Sequence, residues 1–172
     1  YAEAAKSFQE VVTRFPNSPE KAHALYDAGN SLLCAGDAGA ALKAFDDALA
    51  AKPEAALADK TRYARGHALL KLKKADEAIE AFEQSLKAPG LADILPRVTF
   101  SLGEACFAAK RFDDAAKAYA AVVEKHAESP IAADALSALA FCRRDQGKLP
   151  EAIEAAEKFV KTYKPDHPLY KP

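Results

Sequence analysis

The sequence predicts an all-α protein, an α-solenoid of helical hairpins with about nine helices, and three observations predict it. The first is a fixed step. Gly29, Gly66, Gly103 and Ala140 lie 37 residues apart, as do Ala4, Ala41, Ala78, Ala115 and Ala152. Phe8, Phe45, Phe82 and Tyr119 keep the same step, with Ala156 in the fifth place. A period of this length marks a repeat architecture. The second observation is helical patterning inside each period. The third is punctuation by Gly, Asp and Pro at recurring places, where helices must stop and restart.

The elements follow in order. Residues 1–15 read as a lone helix B, because Ala4, Phe8, Val11 and Val12 match the later B helices. A hairpin over 20–53 comes next. Leu25, Ala28, Gly29 and Leu32 share one face at i, i+3, i+4, i+7 spacing, which makes a helix A. Gly36 suits the left-handed residue that ends a helix, and Asp37 suits the N-cap of the next. Ala41, Phe45, Ala48 and Leu49 form the apolar face of helix B, and Lys52-Pro53 ends it. The second hairpin, 57–90, carries Arg62, Gly66 and Leu69, then Ala78, Ile79, Phe82 and Leu86. The third, 94–127, carries Leu102, Gly103 and Cys106, then Ala115, Tyr119, Val122 and Val123. The fourth, 131–163, carries Leu136, Leu139 and Ala140, then Ala152, Ile153, Phe159 and Val160. The stretch 164–172 holds three prolines and is expected to be a non-helical tail. One array over 1–163 is therefore expected. Within each hairpin the glycine is expected to let helix A approach the alanine series of helix B. The helix B aromatic is expected to fill the wedge before the next hairpin.

Composition narrows the function. Of 172 residues, 50% are hydrophobic and 28% charged, which permits a core and gives no sign of disorder. Lys+Arg number 24 and Asp+Glu 25, a balance that lacks the basic footprint of a nucleic-acid binder. No apolar run approaches the roughly 20 residues of a membrane helix. Met is absent, so the chain reads as a piece of a longer protein, and the lack of a leader says nothing of compartment. Cys34, Cys106 and Cys142 form no CxxC pair, so neither a disulfide framework nor a zinc site is expected. No phosphate loop, HExxH or GxSxG occurs, which argues against an enzyme, and no cofactor is implied.

The pattern resembles the tetratricopeptide repeat. Its helix A signature is a large apolar residue, then Leu-Gly, then an apolar or aromatic residue three on. Its helix B carries Ala, an aromatic four later and a small residue three later, and the unit closes on Pro. Here that reads Leu25…Ala28-Gly29…Leu32, Ala41, Phe45, Ala48, Pro53, and again Leu102-Gly103…Cys106, Ala115, Tyr119, Val122. The departures are the missing Trp in every helix A, Ala140 for Gly and Ala156 for the aromatic. The resemblance implies a right-handed superhelix whose A helices line a concave, partner-binding face.

The usual tetratricopeptide period is 34 residues. The extra residues fall at junctions such as Phe15–Pro19 and His126–Pro130, where Ser18 and Ser129 are expected as N-caps and Pro19 and Pro130 as first helical residues. Such units are similar to those of bacterial envelope proteins, namely the Tol–Pal accessory protein and the lipoprotein of the outer-membrane assembly machine. That likeness implies a periplasmic or outer-membrane-associated setting rather than a cytoplasmic one.

Three columns on the A helices are the candidate partner site: Tyr26, Tyr63, Phe100 and Ser137; Asn30, His67, Glu104 and Phe141; Leu33, Leu70, Phe107 and Arg144. Aromatics in such rows suit an extended peptide or a partner helix. Loss of Tyr63 and Phe100 is expected to weaken capture without lowering the melting temperature; packing between A helices is the competing reading. The carboxylate clamp of chaperone-binding members is expected to be absent. Asn30 and Arg97 fit it, but Tyr26, His67 and Ser101 stand where Lys, Asn and Arg belong. A second reading is structural, with self-association through the open ends and no groove ligand.

Overall fold

A computed structural model of the chain describes residues 1–163; the expected tail at 164–172 lies outside the described residues. Among the described residues there are nine α-helices, one short 3₁₀ helix and no strand. They are α1 (Ala2–Arg14), α2 (Lys21–Cys34), α3 (Ala38–Ala50), α4 (Ala55–Lys71), α5 (Ala75–Ser85), α6 (Leu95–Ala108), α7 (Phe112–Lys125), α8 (Ala132–Asp145) and α9 (Leu149–Thr162). The 3₁₀ helix, Pro89–Ile94, precedes α6.

The helices group into two compact units, Tyr1–Asp93 and Ile94–Pro172, the latter described to residue 163. In the first unit α1 to α5 each pack on the next helix in sequence, and α2 also touches α4. In the second, α6 to α9 do the same, and α6 touches α8. Each unit is therefore built of neighbouring hairpins, in which a helix buries one face against its predecessor and another against its successor.

The turn from helix A to helix B repeats in backbone as well as sequence. Gly36, Lys73, Lys110 and Gly147, each 37 residues on, have φ of 88°, 61°, 60° and 76°. Each closes the helix before it: the next residue's N–H reaches back five residues to a carbonyl, as Asp37 does to Leu32 and Lys74 to Leu69, both within 3.0 Å. This is the left-handed helix ending that glycine favours. Two lysines adopt it as well, at the strain a Cβ brings there. Asp37 caps α3 as expected, its Oδ1 accepting from the Ala40 N–H at 2.9 Å.

The Ser-Pro junctions differ from expectation. Helix α2 starts at Lys21 and α8 at Ala132, two residues beyond Pro19 and Pro130. The prolines sit in a turn instead, closed by Lys21 N–H to Ser18 O (3.1 Å) and Ala132 N–H to Ser129 O (2.9 Å). The Ser18 hydroxyl accepts from the Glu20 N–H at 3.2 Å, so it caps the turn and not the helix. At these two junctions the extra residues are spent on this added turn.

The core is made of small residues and a few rings. Phe45, Phe82, Leu69, Val98 and Val122 are fully buried, among many alanines. Polar groups inside are satisfied: Thr61 and Ser85 donate back to Leu57 O (2.7 Å) and Ala81 O (2.8 Å). Buried Asp59 accepts from Arg62 at 3.0 Å and from the Gly90 N–H at 3.2 Å, tying α4 to the 3₁₀ helix.

Candidate functional site

The A-helix face is positioned by one recurring contact. A Cβ built on Gly29 would lie 2.5 Å from Phe45 Cε1, one on Gly66 2.6 Å from Phe82 Cε1, and one on Gly103 2.5 Å from Tyr119 Cε1. The glycine is thus a seat for the helix B ring sixteen residues on. This corrects one of the roles expected from the sequence. The ring, not the alanine series, meets the glycine, because a helix without a Cβ offers a hollow wide enough for an aromatic edge. Ala41 and Phe45 together meet Ala64 and Ala68 of the next A helix.

Seated this way, the rings hold the outward rows of the A helices. In the first unit Tyr26 leans on Phe45 with centroids 6.2 Å apart, and Tyr63 on Phe82 at 5.8 Å. His67 packs between them, 4.7 Å from Tyr63 and 5.2 Å from Phe82. Leu33 and Tyr26 pack against the core cluster around Phe45. Asn30 and Leu70 are half-buried. In the second unit Phe100 leans on Tyr119 at 5.4 Å and Phe107 on Phe112 at 5.3 Å. Glu104, Phe141 and Arg144 are exposed, with the Arg144 guanidinium 5.1 Å over the Phe141 ring. Ser137 is half-buried.

The aromatic column is accordingly neither free nor fully core. Tyr26, Tyr63 and Phe100 each present one side to solvent and rest the other on a buried ring. Truncating Tyr63 and Phe100 would remove these ring contacts too, so the pair of substitutions is expected to lower the melting temperature as well as capture. The most outward positions are Glu104, Phe141 and Arg144.

Burial dominates the electrostatics here. It pushes the Tyr119 hydroxyl well above the ordinary tyrosine range, with the Glu104 carboxylate adding to the effect. The Cys142 thiol is also raised, chiefly by burial. It donates to Phe112 O at 3.2 Å, a bond between α8 and α7. All three cysteines are free thiols. Among the described residues no group of three or more His, Cys, Asp or Glu could hold a metal, and no helix is long and apolar enough to cross a membrane.

The last hairpin carries a feature that the columns do not include. Ala140 and Ala156 replace both partners of the seat, and there the surface opens into an apolar trough of about 390 Å³ between α8 and α9. Leu149, Ile153 and Val160 line it with Phe141 and are exposed. The signal for it in the sequence is the two departures from the period. Read singly they suggest weakened packing; read as a pair sixteen apart, they mark a missing plug.

Glycine and aromatic in register, left-handed turns in register and small-residue contacts are the working parts of one repeat type. A tetratricopeptide repeat family profile matches residues 1–58, 63–130 and 107–168. The chain belongs to the tetratricopeptide repeat family. Solved structures of the same fold include YrrB, described as a TPR protein with an unusual peptide-binding site. It is 22% identical at a TM-score of 0.76, over 96% of this chain and 80% of that one. The TPR-like repeats of a putative kinesin light chain of Podosopora anserina match at 16% identity and TM-score 0.79, over 92% and 84%. MamA from Desulfovibrio magneticus matches at 22% and 0.71, over 92% and 94%. At these identities the likeness is one of fold: helical tetratricopeptide repeats, as the period predicted. No curated protein sequence matches the chain significantly.

Proposed function

We propose that this tetratricopeptide repeat chain is a protein-interaction module, without catalysis, that binds a peptide or helix of a partner protein on the faces of its A helices. The observation that carries the reading is the division of labour inside each repeat. In the inner repeats the glycines, alanines and rings that keep the 37-residue period (Gly29, Gly66, Gly103; Ala41, Ala78, Ala115; Phe45, Phe82, Tyr119) are buried, whereas the outward A-helix positions change from repeat to repeat: Asn30, His67, Glu104, Phe141. Beside them the rings of Tyr26, Tyr63 and Phe100 are half-exposed and backed by buried rings, so little side-chain freedom is lost when a ligand covers them. Aromatic surface of this kind dominates interface energetics. The peptide-binding site ascribed to YrrB is consistent with the same use of the fold.

The test selects peptides on the full chain from a displayed library and titrates the winners by fluorescence anisotropy. Glu104→Arg, Phe141→Ala and Arg144→Ala alter exposed outward side chains. We expect at least one of them to weaken binding by about tenfold or more, roughly 1.4 kcal/mol, at unchanged helix content and melting temperature. Ligands that bind all three variants like the parent chain would rule out the A-helix faces.

A further inference from the structure

The second unit places a carboxylate among rings. Glu104 is exposed on α6, with Phe100 four residues before it and Phe107 three after, so all three share one face of the helix. One period on, in α8, Phe141 stands at the equivalent place, and α6 and α8 touch. In the first unit the same register holds Asn30 and His67, so this row has a carboxylate at Glu104 alone. Two observations show what such a face accepts. A ring of the row already seats a cation, with the Arg144 guanidinium 5.1 Å over Phe141. That guanidinium also holds the Asp145 carboxylate at 2.8 Å, so ring, guanidinium and carboxylate meet in one contact on this face. The second observation is the reach of the Glu104 charge. Burial raises the ionisation of the Tyr119 hydroxyl, and the Glu104 carboxylate raises it further. The carboxylate thus acts across the ring seat behind it, where its field is screened less than in bulk water.

We propose that the A-helix face of the second unit recognises an arginine of the partner peptide, with its guanidinium on Glu104 and its stem against Phe100 and Phe107. The inference rests on the A-helix reading and names the ligand chemistry for it. Charge and shape both select arginine. A planar guanidinium pairs with a carboxylate through two parallel N–H bonds and also stacks on aromatic rings. A lysine ammonium is compact and more strongly hydrated, so it gains less from the rings. An acidic anchor would meet Glu104 as a like charge. A purely apolar anchor would strip water from the carboxylate and return no hydrogen bond. The rings are also set before a ligand arrives, Phe100 against Tyr119 at 5.4 Å and Phe107 against Phe112 at 5.3 Å.

The probes are the peptides selected on the full chain from the displayed library, each remade with its arginines changed one at a time to citrulline, which keeps the shape and removes the charge. Anisotropy titrations compare the parent chain with Glu104→Gln, an exposed site, and circular dichroism checks that the variant keeps its helix content. The selected peptides are expected to carry arginine above its frequency in the library. One citrulline change in each is expected to weaken binding to the parent chain by about tenfold or more. Glu104→Gln is expected to cost the unmodified peptides a similar factor. It is also expected to remove most of the citrulline effect, because both changes break one contact. Peptides without an arginine excess, or a citrulline loss that Glu104→Gln leaves unchanged, overturn the proposal. If such peptides still lose affinity to Phe141→Ala or Arg144→Ala, the A-helix reading stands without it. If they bind those variants and Glu104→Arg like the parent chain, both fall.

Discussion

Gly66→Ala sets two opposing effects against each other, and the structure decides between them. Gly66 lies inside α4, where replacing Gly by Ala ordinarily stabilises a helix by about 1 kcal/mol. Here the new Cβ would stand 2.6, 2.8 and 3.0 Å from three carbons of the Phe82 ring, against the 3.4–4 Å of ordinary contact. The ring must retreat by nearly an ångström, yet it is fully buried and flanked by Tyr63 and His67. Overpacking of this kind costs roughly 1–3 kcal/mol, and a ring with no way out belongs at the upper end. The net is a loss of about 2 kcal/mol, some thirtyfold in the folding equilibrium. Urea unfolding followed by circular dichroism measures it. Phe82→Ala alone should cost about 3–5 kcal/mol. The double variant should cost less than the sum, because the alanine Cβ occupies room that the ring has left. The last hairpin already carries that combination as Ala140 and Ala156. A neutral or stabilising Gly66→Ala, or strict additivity in the cycle, would refute the seat as the reason for the period.

Further outcomes follow from single residues. Lys110→Gly should stabilise the chain by roughly 0.5–1 kcal/mol in the same assay, since its φ of 60° strains a residue with a Cβ. With a thiol reagent in native buffer, Cys34 should react at once, while buried Cys106 and Cys142 should react only on unfolding. The raised ionisation of Tyr119 gives a pH dependence of known sign. The neutral hydroxyl is favoured in the fold, so stability is intact below about pH 10 and declines as pH rises past the unfolded tyrosine range. Tyr119→Phe, which keeps the ring on Gly103, should blunt that alkaline decline in melting scans between pH 9 and about 11.

The candidate site was legible in part, and the reason is local. Which residues lie on the A helices follows from spacing alone, so residue spacing is enough to define the rows from Tyr26 to Arg144. How exposed each residue is depends on what stands behind it. Tyr63 and Phe100 look alike in sequence to a free-standing ring, yet each rests on a helix B aromatic nineteen positions away. The Ser-Pro junctions failed for a similar reason: a serine before a proline fits both a helix cap and a turn, and the backbone bonds of residues 15–21 select the turn.

By itself the sequence determined the repeat, the nine α-helices among the described residues and the left-handed turn at Gly36, because these depend on short-range geometry: the 3.6-residue helical period, the steric freedom of glycine and the capping reach of Asp37. Tertiary structure alone decided what the periodic residues are for. Gly29 and Phe45 are sixteen residues apart and carry no local sign of contact; only the crossing of α2 and α3 brings ring to hollow. The same crossing, with alanine on both sides in α8 and α9, leaves the trough open, because an absent side chain becomes a cavity only where its neighbours are fixed around it.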